Sequence, residues 1–193
     1  MRFDPHTRFS LLEAMLKMRA QARTPAAAGG QEAVVVGVTR ALQAGDIGAM
    51  LPGASAPESR LPRLYVQAAE PGQAGPGDGI ETRPVDGSDV EAVLAATLDL
   101  AAAIRADGRP RRLLLDSGQP PREADAQAYV DADEWRPWQQ RDPIAVLSAR
   151  LIAEGVLDPG ELLYLHQRIA AGAAMTHDTA QRERRVPSPA LCA

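Results

Sequence analysis

Apolar residues recur at helical spacing in five segments of the chain, and shorter apolar runs separate them. The helical segments begin at SLLEAMLKM, QEAVVVGV, SDVEAVLAA, DPIAVLSA and DPGELLYL. Runs of strand-like composition are LPRLYVQA, IETRPV and RRLLLD, and DIGAMLPGASAPESR holds a further short extended piece. Residues at i, i+3, i+4 and i+7 share one face of a helix, whereas short runs rich in branched residues suit strands. The pattern therefore predicts a mixture of helices and short strands.

Capping residues predict where the helices begin and end. A side-chain acceptor before the first turn satisfies backbone N–H groups, and proline fits the first helical position. The predicted start signals are the capping boxes Ser10 with Glu13 and Ser88 with Glu91, the pair Asp142-Pro143, and Asp158 with Pro159 and Glu161. Gly45, Gly108 and Gly155 are expected to end helices, and the last helix is expected to reach roughly Thr176.

The second segment, QEAVVVGVTRALQAG, is ambiguous because its run of β-branched valines also suits a strand. Its apolar and small residues fall at Ala33, Val34, Gly37 and Val38, which is helical spacing. The spacing favours a helix with one closely packed face.

The order of these elements predicts a helix-rich α/β fold with a small, mostly parallel sheet of about three or four strands. Two helices precede the sheet and a helical tail follows it. The segment from Ile80 to Asp116 reads as strand, helix, strand, which implies parallel pairing, and RLLLD or RLYVQ is expected at the centre. We predict one domain over residues 1–180, with a Gly/Pro-rich loop at 69–79 and a disordered tail at 181–193.

Charge and composition narrow the classes of function. The chain has 193 residues and a net charge of −4, and the negative charge argues weakly against nucleic acid as the main partner. Few residues are aromatic, which suits a core of packed helices. No apolar run has the length of a membrane span, and we expect a soluble, cytoplasmic protein. The single cysteine, Cys192, is expected to be a free thiol because it has no partner for a disulfide.

Few residues carry recognisable chemistry. The three histidines, His6, His166 and His177, have no spacing typical of a metal or catalytic site. The GPGDG run at 75–79 lacks the lysine of a Walker loop and does not open directly into a helix. Trp135 and Trp138 are three residues apart and could share one face. There they would form a packing anchor at an interface.

Three segments together resemble the alpha subunit of thiamine-diphosphate-dependent 2-oxo acid dehydrogenases. GGQEAVVVGVTRALQAGD is similar to the Ile-Gly-Gln-Glu-Ala helix near the start of that subunit. VDGSDVEAVLAATLDLAAAIRADGRPRRLLLD is similar to its Val-Asp-Gly-Asn-Asp-Val helix and the strand after it, and YVDADEWRPWQQRDPIAVLSARLIAEGVLDPGEL to its tail. The resemblance implies a truncated thiamine-diphosphate-binding fold.

The resemblance also implies that the cofactor site is missing. Only PGASAPESR stands between Leu51 and Leu61, where the family carries residues that contact the cofactor. The two asparagines that complete the family's magnesium site fall on Ala69 and Glu70, and the family's loop histidine falls nearest to Gln119. This chain contains no asparagine. We therefore expect neither thiamine diphosphate nor magnesium to bind.

The expected function is association rather than catalysis. By the resemblance, the partner is a beta-type dehydrogenase subunit, a second copy of the chain, or both. The candidate interface residues are Gln31, Glu32, Val34, Gly37, Trp135 and Trp138. Two alternatives stay open: an accessory subunit of an active oxidoreductase whose cofactor site is supplied by a partner, and a small-molecule binding module.

Overall fold

A computed structural model describes residues 3–21, 31–42, 48–50, 63–69, 79–116 and 141–185, with backbone only for 48–50 and 176–185. The helices are α1 (Pro5–Gln21), α2 (Glu32–Ala41), α3 (Val90–Asp107), α4 (Pro143–Ala153) and α5 (Pro159–Arg185). The strands are β1 (Gly48–Met50), β2 (Arg63–Ala68), β3 (Glu81–Asp86) and β4 (Arg111–Asp116).

The four strands form one parallel sheet in the order β1-β2-β4-β3. Both runs expected at the centre, β2 and β4, are interior strands. β3 lies at an edge, where Pro84 removes a backbone donor at little cost. The helix-rich α/β class and the small parallel sheet are thus confirmed, whereas a truncated thiamine-diphosphate-binding fold stays a prediction.

The sheet is held by an apolar layer between it and two helices. Leu64 and Val66 of β2, with Leu113 and Leu115 of β4, form one cluster with residues of α2 and α3. Successive residues of a strand point to opposite faces, so these alternate residues share the face that the two helices cover. Full burial of each leucine or valine stabilises the fold by about 1.5–3 kcal/mol relative to exposure.

A second cluster joins α1, α4 and α5 to the ends of α2 and α3. Most of its large, fully buried side chains come from α1 and α4, and α5 contributes two buried residues. The members are Leu11, Leu12, Met15, Leu16, Ala33, Val36, Ala41, Val90, Leu94, Ile144, Leu147, Leu151, Leu157, Leu165 and Ile169. The helical layer therefore has a core of its own, beside the one beneath the sheet.

The first helix starts earlier than predicted. Asp4 accepts a hydrogen bond from the Thr7 amide at 3.0 Å, and Pro5 follows it as the first helical residue. The capping box at Ser10 and Glu13 is therefore wrong, because Asp4, six residues before Ser10, supplies an acceptor and Pro5 a fixed φ. Ser10 lies within the helix and hydrogen-bonds to Arg40.

The cap of α3 is also displaced from its predicted residue. Asp89, not Ser88, accepts hydrogen bonds from the amides of Glu91 and Ala92, at 3.0 and 3.1 Å. The Ser88 hydroxyl instead donates to Asp86 at 2.6 Å. The Glu91 carboxylate does not fold back on the cap because it is paired with arginines.

The starts of α4 and α5 are confirmed. Asp142 accepts from the Ile144 amide at 2.9 Å, and Asp158 accepts from the amides of Gly160 and Glu161. The left-handed Gly108 and Gly155 follow α3 and α4 as expected, with φ of 69° and 67°.

The last helix runs further than predicted. α5 reaches Arg185 rather than Thr176, so its end overlaps the first residues of the predicted tail at 181–193. The disorder of that tail stays a prediction. The tail sequence up to Arg185 contains no glycine or proline to stop the helix, and the first proline beyond it is Pro187. No helix in the described part of the chain combines the length and the apolarity needed to cross a membrane.

Candidate functional site

The carboxyl ends of β3 and β4 bring two acidic side chains together. Asp86 and Asp116 are register partners on adjacent strands. Arg141 lies 3.5 Å from each of their carboxylates and donates to the Asp116 carbonyl at 3.0 Å. The carboxyl ends of parallel strands are where open α/β sheets hold ligands, so this edge is the first place to look for a site.

At the end of β2, at the same edge, the last described residue offers no side-chain group that could bind a metal. Ala69 has only a methyl side chain, and its amide donates to the Leu115 carbonyl at 2.7 Å. This position therefore offers no side-chain oxygen ligand and no free amide. Glu70, the other residue predicted to occupy a ligand position, lies outside the described residues.

The described residues of this edge do not fit thiamine diphosphate with magnesium. A bound diphosphate requires cations and N–H donors, and magnesium requires several oxygen ligands in an ordered array. Asp86 and Asp116 would repel phosphate, and Arg141 is already paired with both. Within the described ranges, no three His, Cys, Asp or Glu side chains come together to hold a metal ion.

A larger group of charges joins α1, α3 and the end of α4. Arg8 lies 2.7 Å from one Glu91 oxygen and 2.6 Å from Glu154. Arg150 lies 2.6 Å from the other Glu91 oxygen and 2.7 Å from Asp89. Glu91 thus bridges two arginines, and the five residues form one network that fixes how three helices meet.

Pairing in this network shifts several pKa values. The hydrogen bond to Glu154 raises the pKa of Arg8 against the opposing effect of burial. Hydrogen bonds to Asp89 and then to Glu91 raise the pKa of Arg150. Burial alone would raise the pKa of Asp89, but the hydrogen bonds from Arg150 and the Ala92 amide outweigh it and hold that pKa below its usual value. All of these groups are therefore charged near neutral pH.

The same network lines an open cleft of about 330 Å³. The lining residues are Arg8, Asp89, Glu91, Ala92, Ala95, Arg150 and Glu154. Its charged groups already satisfy one another, so a ligand would have to displace an existing ion pair. The cleft is a structural junction, and we assign it no ligand.

A second network links α1, α2 and α4. Arg19 donates from Nε to Glu32 at 2.7 Å and from both terminal nitrogens to Asp142, at 2.7 and 2.9 Å. Glu32 is fully buried, and its second oxygen has no hydrogen-bond partner within the described ranges. Burial alone would raise the pKa of Asp142, but the hydrogen bond and charge of Arg19, together with hydrogen bonds from backbone amides, outweigh it and hold that pKa below its usual value.

The residues predicted to form an interface have different environments. Glu32, Val34 and Gly37 are buried within the chain, against Arg19, the sheet cluster and α3 respectively. These three side chains are covered within the chain, and the assignment of the residues to an interface stays a prediction. Gln31 is exposed at the start of α2. Trp135, Trp138 and Gln119 lie in segments that the structure does not describe.

The sequence did contain one signal for the charge networks. Arg8 and Arg19 lie at helical spacing from Leu12 and Met15, and therefore on the apolar face of α1. An arginine on an apolar face requires a carboxylate partner, because an unpaired buried charge is costly. The partners themselves, Glu91 and Glu32, could not be chosen without the packing of the helices.

Exposed apolar side chains concentrate on α5. Leu163, Tyr164 and Met175 are 60%, 66% and 73% exposed. The side of the helix that faces the core is instead formed by Leu165 and Ile169. His166 is also exposed on α5, and His6 is exposed on α1. Among the described residues, the large apolar side chains that are exposed to solvent all lie on α5.

No protein-family model matches the sequence, and no curated protein matches it.

Proposed function

We propose that this chain is a non-catalytic relative of the alpha subunit of thiamine-diphosphate-dependent 2-oxo acid dehydrogenases, and that it acts by association with a beta-type subunit. The observation that supports this proposal most directly is made at the carboxyl end of β2. Ala69 stands where the family resemblance requires a magnesium ligand, and its amide is bonded to Leu115.

The rest of the sheet edge supports a loss of cofactor binding. On the adjacent strand β4, Asp116 follows Leu115, the register partner of Ala68, and on β3 Asp86 is the register partner of Asp116. Both residues are acids. Arg141, the cation between them, holds an ion pair with each. A diphosphate placed here would meet like charges and would have no array of free donors. The chain therefore lacks the means to hold the cofactor on its own described residues.

The helices support a role in assembly. Two ion networks and a shared apolar core hold α1, α3, α4 and α5 together without any ligand. A protein that retains an ordered helical layer and leaves apolar side chains exposed on one helix has the features of a subunit that binds another protein. Residue Gln31 remains exposed for such contacts.

A second function is favoured by one observation. Asp86 and Asp116 are exposed at the sheet edge, where they could border a pocket completed by a partner. In that case the chain is an accessory subunit of an active oxidoreductase and the partner supplies the cofactor ligands. The small-molecule alternative has less support, because the charged groups lining the cleft are paired with each other.

Calorimetry with thiamine diphosphate and magnesium separates these functions. The titrations use the chain alone, the chain with a beta-type subunit from the same operon, and a full-length alpha subunit of the family as the positive control. We expect no binding heat for the chain alone or for its complex. Heat that appears only in the complex would establish the accessory function, and heat for the chain alone would contradict the proposal.

A further inference from the structure

We draw no further inference here: the strongest candidate, the exposed apolar side of α5 around Leu163 and Tyr164, carries none because nothing among the described residues shows what covers it.

Discussion

Gly37 of α2 lies so close to Val93 of α3 that a Cβ at Gly37 would stand 2.8 Å from Val93 Cγ1. The same Cβ would be 3.1 Å from the Leu94 amide nitrogen, which belongs to the backbone and cannot turn aside. The glycine therefore sets the distance between the two helices that cover the sheet. The spacing of small and apolar residues in α2 predicted a closely packed face, and α3 is the element that packs against it.

Gly37→Ala is expected to destabilise the protein by about 1–3 kcal/mol, because the two helices must move apart. Gly172→Ala is the matched control. It lies in α5 with no atom within 4 Å of the added Cβ, so it is expected to stabilise by up to about 1 kcal/mol through helix propensity. Urea denaturation of both variants measures the difference. A Gly37→Ala protein at least as stable as the wild type would show that the contact is not tight.

Asp89→Ala removes both a helix cap and a partner of Arg150. The cap alone is expected to be worth about 1 kcal/mol. Asp158→Ala removes a cap of the same type on α5, where the described contacts of the carboxylate are to backbone amides only. Asp89→Ala is therefore expected to cost about 1 kcal/mol more than Asp158→Ala, because it also loses the paired arginine. Equal losses in thermal unfolding would mean that the pairing adds nothing.

Arg19→Met is expected to be strongly destabilising, by about 3–5 kcal/mol, because it leaves Glu32 charged, buried and without its cation. The double variant Arg19→Met with Glu32→Leu removes both charges and is expected to recover most of that loss. Chemical denaturation of the single and double variants measures the recovery. No recovery in the double variant would contradict the view that the cost comes from the unpaired carboxylate.

Stability is expected to fall as the pH is lowered through about 4. Asp89 and Asp142 have pKa values held below the usual range in the folded chain. The unfolded chain therefore binds more protons near an unperturbed aspartate pKa of about 3.9, and acid favours unfolding. The stabilisation is fully present above that value and is lost as the pH falls through the lower pKa values of the folded state.

Melting temperatures at pH 7, 5, 4 and 3 measure this dependence. Arg150→Met is the control, since without Arg150 the pKa of Asp89 returns towards or above its usual value. The variant is expected to be less stable at pH 7 and to lose less between pH 5 and 3 than the wild type. Parallel curves for the two proteins would show that Asp89 does not carry the effect.

Much of the fold could be predicted because the local signals agree with the final packing. The helix starts at Asp142 and Asp158 followed the rule of an acceptor before a proline, and the structure has both. The same rule applies at Asp4-Pro5, where α1 begins, whereas the capping box at Ser10 predicts a start that is too late. The sequence pattern alone could not decide whether Ser88 or Asp89 caps α3. The answer depends on the Glu91 carboxylate, which pairs with two arginines that are distant in sequence.

The surroundings of the candidate interface residues were harder to predict from the sequence than the helix starts. Glu32 and Gly37 look unusual in a sequence because one is charged and the other lacks a side chain, and both suit a contact surface. Their roles depend on Arg19 and Val93, which are distant in sequence and come close only when the helices pack. The exposure of Tyr164 likewise depends on tertiary packing, because Leu165 and Ile169 form the side of α5 that faces the core.

Complex formation with a beta-type subunit tests the central claim most directly. The chain and a beta-type subunit from the same operon would be co-expressed, purified through a tag on one of them, and measured by light scattering after size exclusion. The account predicts a stoichiometric complex that forms without thiamine diphosphate or magnesium. A chain that elutes separately from the beta-type subunit, with or without the cofactor, would contradict it.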